Sequence, residues 1–171
     1  GSSFFAKTEI KDVMAYLRLI VNPDDDNAFL RIINTPRRQI GTSTLEALGH
    51  YASQRHISLF AACQEIGLAS HIAEKSLERL RTFAEWMEQV RRNCAGDNPV
   101  SAIREMLSDT DYEGWLHQNA SNSKAAEKRM ENVYYLVESL QKSLDKNADE
   151  NEEEEARIED AIAKLVLRDL L

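Results

Sequence analysis

The stretch Ile33-Asn34-Thr35-Pro36-Arg37-Arg38-Gln39-Ile40-Gly41-Thr42-Ser43-Thr44-Leu45 decides how the rest of the chain is read. It has the form of one helix ending, a short basic loop, and a second helix beginning. Pro36 predicts the stop, because its ring obstructs the preceding turn and it has no N–H to donate. Gly41 predicts a sharp turn into the next helix, since a residue without Cβ reaches backbone angles closed to the others. Ser43 and Glu46 stand at the Ser-x-x-Glu spacing of a capping box beside Leu45 and Leu48. The first N–H groups of a helix have no intrahelical acceptor and carry the positive end of its dipole. With Arg37 and Arg38 beside them they form a place for an anion. On a repeating polyanion such as DNA that is a grip on the backbone which reads no sequence. A plain solvated turn between two helices has the same residues.

Outward from this loop, apolar residues recur at helical spacing. Ile10, Val13, Met14, Leu17, Ile20 and Val21 predict a first helix that Thr8 caps and Asn22-Pro23 ends. Asp24, Asp25 and Asp26 open a second through Phe29, Ile32 and Ile33, and a third covers about 43–54. Ser58 caps a short fourth that stops at Gly67, and a long helix follows over about 70–93. Asn98-Pro99 places proline in a first helical turn. A short helix at 111–118 holds Tyr112 and Trp115, a long one covers about 123–144, and Ile158, Ala161, Ile162, Leu165 and Val166 mark the last. No alternating strand pattern and no repeat of 20–50 residues is visible. The fold class is therefore all-α: an irregular multi-helix bundle containing a helix–loop–helix element.

At 171 residues, 43% of them hydrophobic and with six glycines and three prolines, the chain is long enough for one ordered core. Its net charge of −8 opposes DNA binding, but the acidity is local. Between Asp145 and Asp160 nine carboxylates face Lys146 and Arg157, leaving the other 155 residues at about −1. An acidic mobile loop is expected at about 145–156, beside a near-neutral body that can carry one basic patch. Cys63 and Cys94 predict a reduced pair rather than a disulfide. His50, His56, His71 and His117 are scattered, without partners at metal-ligand spacing, so no metal site is expected. No Gly-x-x-x-x-Gly-Lys-[Ser/Thr] loop is present to cradle phosphates. Tyr112, Trp115, Trp86, Tyr134 and Tyr135 fall at helical spacing, which favours packing over base stacking.

The order of Phe4-Phe5-Ala6-Lys7-Thr8-Glu9-Ile10-Lys11-Asp12, Ala15-Tyr16-Leu17-Arg18-Leu19, Asn22-Pro23-Asp24-Asp25-Asp26, Arg31-Ile32-Ile33-Asn34 and the loop closely resembles the UvrD/Rep family of superfamily 1 DNA helicases. The likeness is dense over 1–60 and looser through Tyr112, Trp115 and 124–133. It implies that residues 1–22 are the edge of a motor lobe, 2A, and that 23–171 are the helical 2B insertion. Cut from that lobe, Ile10, Val13 and Leu17 are left without partners. It also implies that ATP and magnesium belong to the parent helicase and not to this stretch, which is expected to be no enzyme by itself. Double-stranded DNA and the rest of the helicase chain are the implied partners, with no membrane and no small-molecule substrate, in a bacterial cytoplasm. The family's loop carries Gly-Ile-Gly; here Gln39 replaces the first glycine. The resemblance assigns DNA backbone contact to Thr35, Arg37, Arg38, Gln39, Ile40, Gly41, Thr42, Ser43 and Thr44. A protein-docking, autoinhibitory module without DNA contact is the alternative.

Overall fold

The structure, a computed structural model, describes residues 3–150 and 157–171, with only the backbone described for 147–150. Helices α1 (Thr8–Val21), α2 (Asp26–Ile32), α3 (Thr42–Arg55), α4 (Leu59–Cys63), α5 (Glu74–Cys94), α6 (Pro99–Asp109), α7 (Tyr112–Asn119), α8 (Ser123–Glu150) and α9 (Ile158–Leu170) follow one another, with a 3₁₀ turn at Ile66–Ser70. No strand occurs among the described residues, so the chain is all-α as its periodicity predicts.

Helix α1 is the spine. Ile10, Val13, Ala15, Tyr16, Leu17 and Leu19 are all fully buried, and the helix is packed by α2, α5, α8 and α9. A helix apolar on most of its faces belongs at the centre of a core. Residues 8–21 thus share one hydrophobic cluster with the rest of the chain. Ile10, Val13 and Leu17, expected to lack partners, have them here.

The aspartate triplet fastens α2 to α4. Asp25 caps α2 by accepting from the Ala28 amide at 3.0 Å. Asp24 accepts from Ser58 Oγ at 2.7 Å, and Asp26 accepts from the Leu59 amide at 2.9 Å. Ser58 caps α4 as predicted, through the Ala61 amide. Several boundaries differ from expectation, among them the end of α4, which stops at Cys63 and not at Gly67. Lys7, not Thr8, occupies the cap position of α1 and makes no side-chain cap bond. Helix α5 starts at Glu74, because 66–70 close as a 3₁₀ turn over buried Leu68. Helix α8 runs on to Glu150, so 145–150 are helical where an acidic loop is expected; 151–156 lie outside the described residues.

Two carboxylates on α1 are buried, and they orient it. Glu9 accepts from Arg129 Nε at 3.2 Å and Asn132 Nδ2 at 2.9 Å, both on α8. Asp12 accepts from the Tyr112 hydroxyl at 2.8 Å and Arg31 Nε at 3.1 Å. Burial dominates at Asp12 and holds its carboxyl above the ordinary range against the pull of Tyr112 and Arg31. At Glu9 burial also pushes upward, but hydrogen bonds from Asn132, its own backbone and Arg129 outweigh it, and the carboxyl sits below the ordinary range. A lowered carboxylate adds stability that is present above its ordinary pKa and lost as pH falls through the lowered one; a raised one has the opposite sense. Glu9→Gln is therefore expected to lose about 2 kcal/mol near neutral pH, the scale of charge-assisted hydrogen bonds. It should also lose less further stability on acidification than the unsubstituted chain. Urea titrations at a series of pH values check this; parallel stability curves down through the carboxylate range would count against it.

Candidate nucleic-acid interface

The loop between α2 and α3 is built on Asn34. Its Nδ2 donates to the Ile40 carbonyl at 2.7 Å while its Oδ1 accepts from the Ile40 amide at 3.1 Å. The side-chain amide thus stands in for a neighbouring backbone strand and closes the loop into a ring, an old use of asparagine in turns. Ile40 sits beneath, 3% exposed, and joins the core. The Thr35 carbonyl accepts from the Tyr16 hydroxyl at 2.6 Å, which fixes the loop's first half to α1.

The turn itself is made at Gln39, whose φ is 58°. A side chain in that left-handed region costs about 1–2 kcal/mol, and glycine escapes the cost. The first glycine of a Gly-Ile-Gly loop would serve this position. Here the Gln39 carbonyl is held instead by Arg79 Nη1 of α5, at 3.2 Å. Gly41, expected to make the sharp turn, is ordinary extended backbone (φ −76°, ψ 165°) and is the N-cap of α3. Helix α3 begins at Thr42, which puts Ser43 inside the first turn, so no side-chain cap bond forms and the predicted capping box is absent.

A Cβ added to Gly41 would meet nothing within 4 Å. Neither strain nor crowding requires glycine there. What glycine does is leave the helix start uncovered. Gly41, Thr42 and Ser43 are exposed and Thr44 partly so. Among the described residues no protein acceptor takes the amides of Thr42, Ser43 or Thr44; the first bond of the helix is Leu45 N–H to the Gly41 carbonyl.

The two arginines part company. Arg37 is exposed and has no ion pair among the described residues. With Asn34, Gln39, Ile40, Gly41 and Trp115 of α7 it borders an open hollow of about 490 Å³. Arg38, expected to offer charge to a phosphate, turns inward. Its Nη1 donates to the carbonyls of Ile32 (2.6 Å), Ile33 (3.2 Å) and Pro36 (3.4 Å), and its Nη2 to Tyr16 OH (2.6 Å) and Thr110 Oγ1 (2.9 Å). The guanidinium also lies 4.8 Å from the Phe83 ring centroid and 5.4 Å from that of Trp86. Burial raises the Tyr16 pKa, with Arg38 opposing, so the phenol stays a neutral donor to Thr35. Arg38 therefore builds the loop from below, and the sequence reading had no sign of that reversal. Of the nine predicted residues the structure gathers Thr35, Arg37, Gln39, Gly41, Thr42, Ser43 and Thr44 around one exposed corner, with Ile40 and Arg38 supporting it from inside. Asn34, Tyr16, Thr110 and Arg79 were missed; of these Asn34 alone carried a sequence signal, as a turn-forming residue beside Pro36.

A family model described as the UvrD-like helicase C-terminal domain matches residues 1–170. This chain belongs to that family. The ATP-dependent DNA helicase Rep of Escherichia coli (strain K12) is 46% identical over 136 residues, covering 80% of this chain and 20% of the relative. Rep of Buchnera aphidicola subsp. Schizaphis graminum is 35% identical over 171 residues, covering all of this chain and 25% of the relative. The ATP-dependent DNA helicase PcrA of Bacillus subtilis (strain 168) is 35% identical over 133 residues, covering 78% and 18%. The chain thus spans a quarter or less of the UvrD-like relatives it matches.

Among the described residues no group of three His, Cys, Asp or Glu is placed to hold a metal ion. The six glycines stand singly in the sequence. Cys63 and Cys94 are buried free thiols, and burial pushes them to about 12 and about 11, where little reactive thiolate forms. Among the described residues no helix is long and apolar enough to cross a membrane.

Proposed function

We propose that this UvrD-like segment holds duplex DNA by its sugar–phosphate backbone, without reading sequence, and thereby tunes unwinding by an ATP-dependent DNA helicase of which it is one part. The observation that carries the reading is the uncovered start of α3: three unclaimed amides behind a glycine that neither strain nor crowding requires. A phosphate oxygen is the acceptor such a corner suits, since a helix start offers N–H donors and positive potential together. In this reading the amides of Thr42, Ser43 and Thr44 and their hydroxyls bind one phosphate and Arg37 neutralises it. Gln39 and Gly41 shape the rim, Ile40, Asn34 and Arg38 hold the loop rigid, and Thr35 takes part through its backbone. ATP and magnesium act elsewhere in the parent, the segment itself does no chemistry, and residues 1–22 lead in from the motor lobe in a bacterial cytoplasm.

Exposed Tyr134, Tyr135, Leu167 and Leu170 favour a second reading, in which helices α8 and α9 dock on protein and DNA contact is incidental. NMR titration of the chain with a short duplex separates the two: shifts that include 34–46 fit the first, and none at millimolar duplex fits the second. Binding should be weak, with a Kd of about 10⁻⁴ M or poorer at physiological salt. Arg37→Ala is expected to weaken it about fivefold at low salt, the worth of one exposed charge contact of about 1 kcal/mol. Unchanged affinity would remove Arg37 from the site.

A further inference from the structure

With Arg38 turned inward, the loop presents a single cation, Arg37, which is little for a polyanion. Helix α5 passes beside the loop, and the Arg79 bond to the Gln39 carbonyl puts that guanidinium on the loop's rim. Lys75 lies four residues earlier on the same helix, about 6 Å along its axis and on the same face. Both are exposed, and neither has an ion pair among the described residues. They border a hollow of about 550 Å³ that Arg38, Glu78 and Asp109 also line.

We propose that the DNA-holding surface continues from the loop onto the first turns of α5, with Arg79 and Lys75 as further contacts to the phosphate backbone. This rests on the reading of the loop given above and extends it from a point to a strip. The strip is contiguous: Gln39 lies between the amides of α3 on one side and Arg79 on the other, and its left-handed backbone brings its carbonyl within reach of α5. A rail of evenly spaced anions matches cations that step away from the loop along one helix face. An acidic peptide is the competing occupant of the hollow, and the test below discriminates.

Fluorescence anisotropy of the chain with a short duplex, followed from low to physiological salt, measures how many phosphates are neutralised. Each contributes about −0.9 to the log–log slope, so Arg37, Arg79 and Lys75 together give about −2.7, and Arg37 alone about −0.9. Arg79→Ala and Lys75→Ala are each expected to flatten the slope by about 0.9 and weaken binding about fivefold at the lowest salt. Arg79→Lys should restore the slope, because it keeps the charge. An unchanged melting temperature identifies the Lys75→Ala loss as a surface effect; Arg79→Ala also gives up the bond to the Gln39 carbonyl, so for it the recovery in Arg79→Lys is what separates charge from loop support. Should both alanine variants bind as the unsubstituted chain does while Arg37→Ala binds less, the strip is wrong and the loop reading stands. Failure of the unsubstituted chain to bind duplex at any salt overturns both. Polyglutamate that is retained by the chain and lost on Lys75→Ala, with duplex binding unaffected, assigns the hollow to acidic protein and overturns the proposal.

Discussion

Replacing Arg38 by methionine is expected to lower the stability of this domain by about 3 kcal/mol, a fall of roughly 6–12 °C in melting temperature for a chain of this size. The substitution keeps an unbranched stem and deletes the fork. Three backbone carbonyls lose a charged donor, and Tyr16 and Thr110 lose the group that links them. Hydrogen bonds to a charged group contribute about 1.5–3 kcal/mol each, and a cation over aromatic faces about 1 kcal/mol more. Returning the guanidinium to water offsets much of that sum, which is why the net is a few kcal/mol and no more. Lysine should rescue only in part, since one ammonium cannot span carbonyls on one side and hydroxyls on the other, nor lie flat on Phe83. Arg37→Met, one residue away and exposed, is expected to stay within about 0.5 kcal/mol. Urea unfolding followed by circular dichroism compares the two; equal effects would refute the division of labour between the neighbouring arginines.

That division marks how far the sequence could be read. Helix identities followed from apolar spacing because each helix buries one face, and for α1 most faces, in a single core. Local signals held where the partner is local: Ser58 capping α4, proline in the first turn of α6. They failed where distance in sequence decides. Arg37 and Arg38 are identical in type and adjacent, and what separates them is Tyr16 on α1 and Thr110 after α6, 22 and 72 residues from Arg38. The capping box at Ser43 and Glu46 is a sound pattern displaced by two residues, because the Asn34 ring and buried Ile40 set where α3 starts. The helix–loop–helix corner was thus legible as a whole, and its interior wiring was not. The left-handed turn at Gln39 belongs with the illegible part: glutamine there gives no local sign of positive φ, and the compensating bond comes from Arg79, forty residues on.

Gly41→Asp should separate fold from function most sharply, because it is expected to move them in opposite directions. The backbone at Gly41 is open to any residue, and the new Cβ meets nothing within 4 Å. An aspartate at the N-cap accepts from the amides of the first turn and complements the dipole, so the fold should gain a few tenths of a kcal/mol up to about 1. The same carboxylate occupies the donors a phosphate would use and repels it besides. Losing one or two charge-assisted bonds of about 1.5 kcal/mol or more each predicts duplex binding weakened by at least about tenfold. Gly41→Ser covers the amides without adding charge and should fall between, while Gly41→Ala leaves them uncovered, costs the fold about 0.5–1 kcal/mol through a poorer cap, and keeps most of the binding. Thermal melts and duplex anisotropy on the three variants give an ordering in which stability and affinity run against each other. An aspartate variant that binds duplex as tightly as the glycine chain would mean that the start of α3 touches no phosphate.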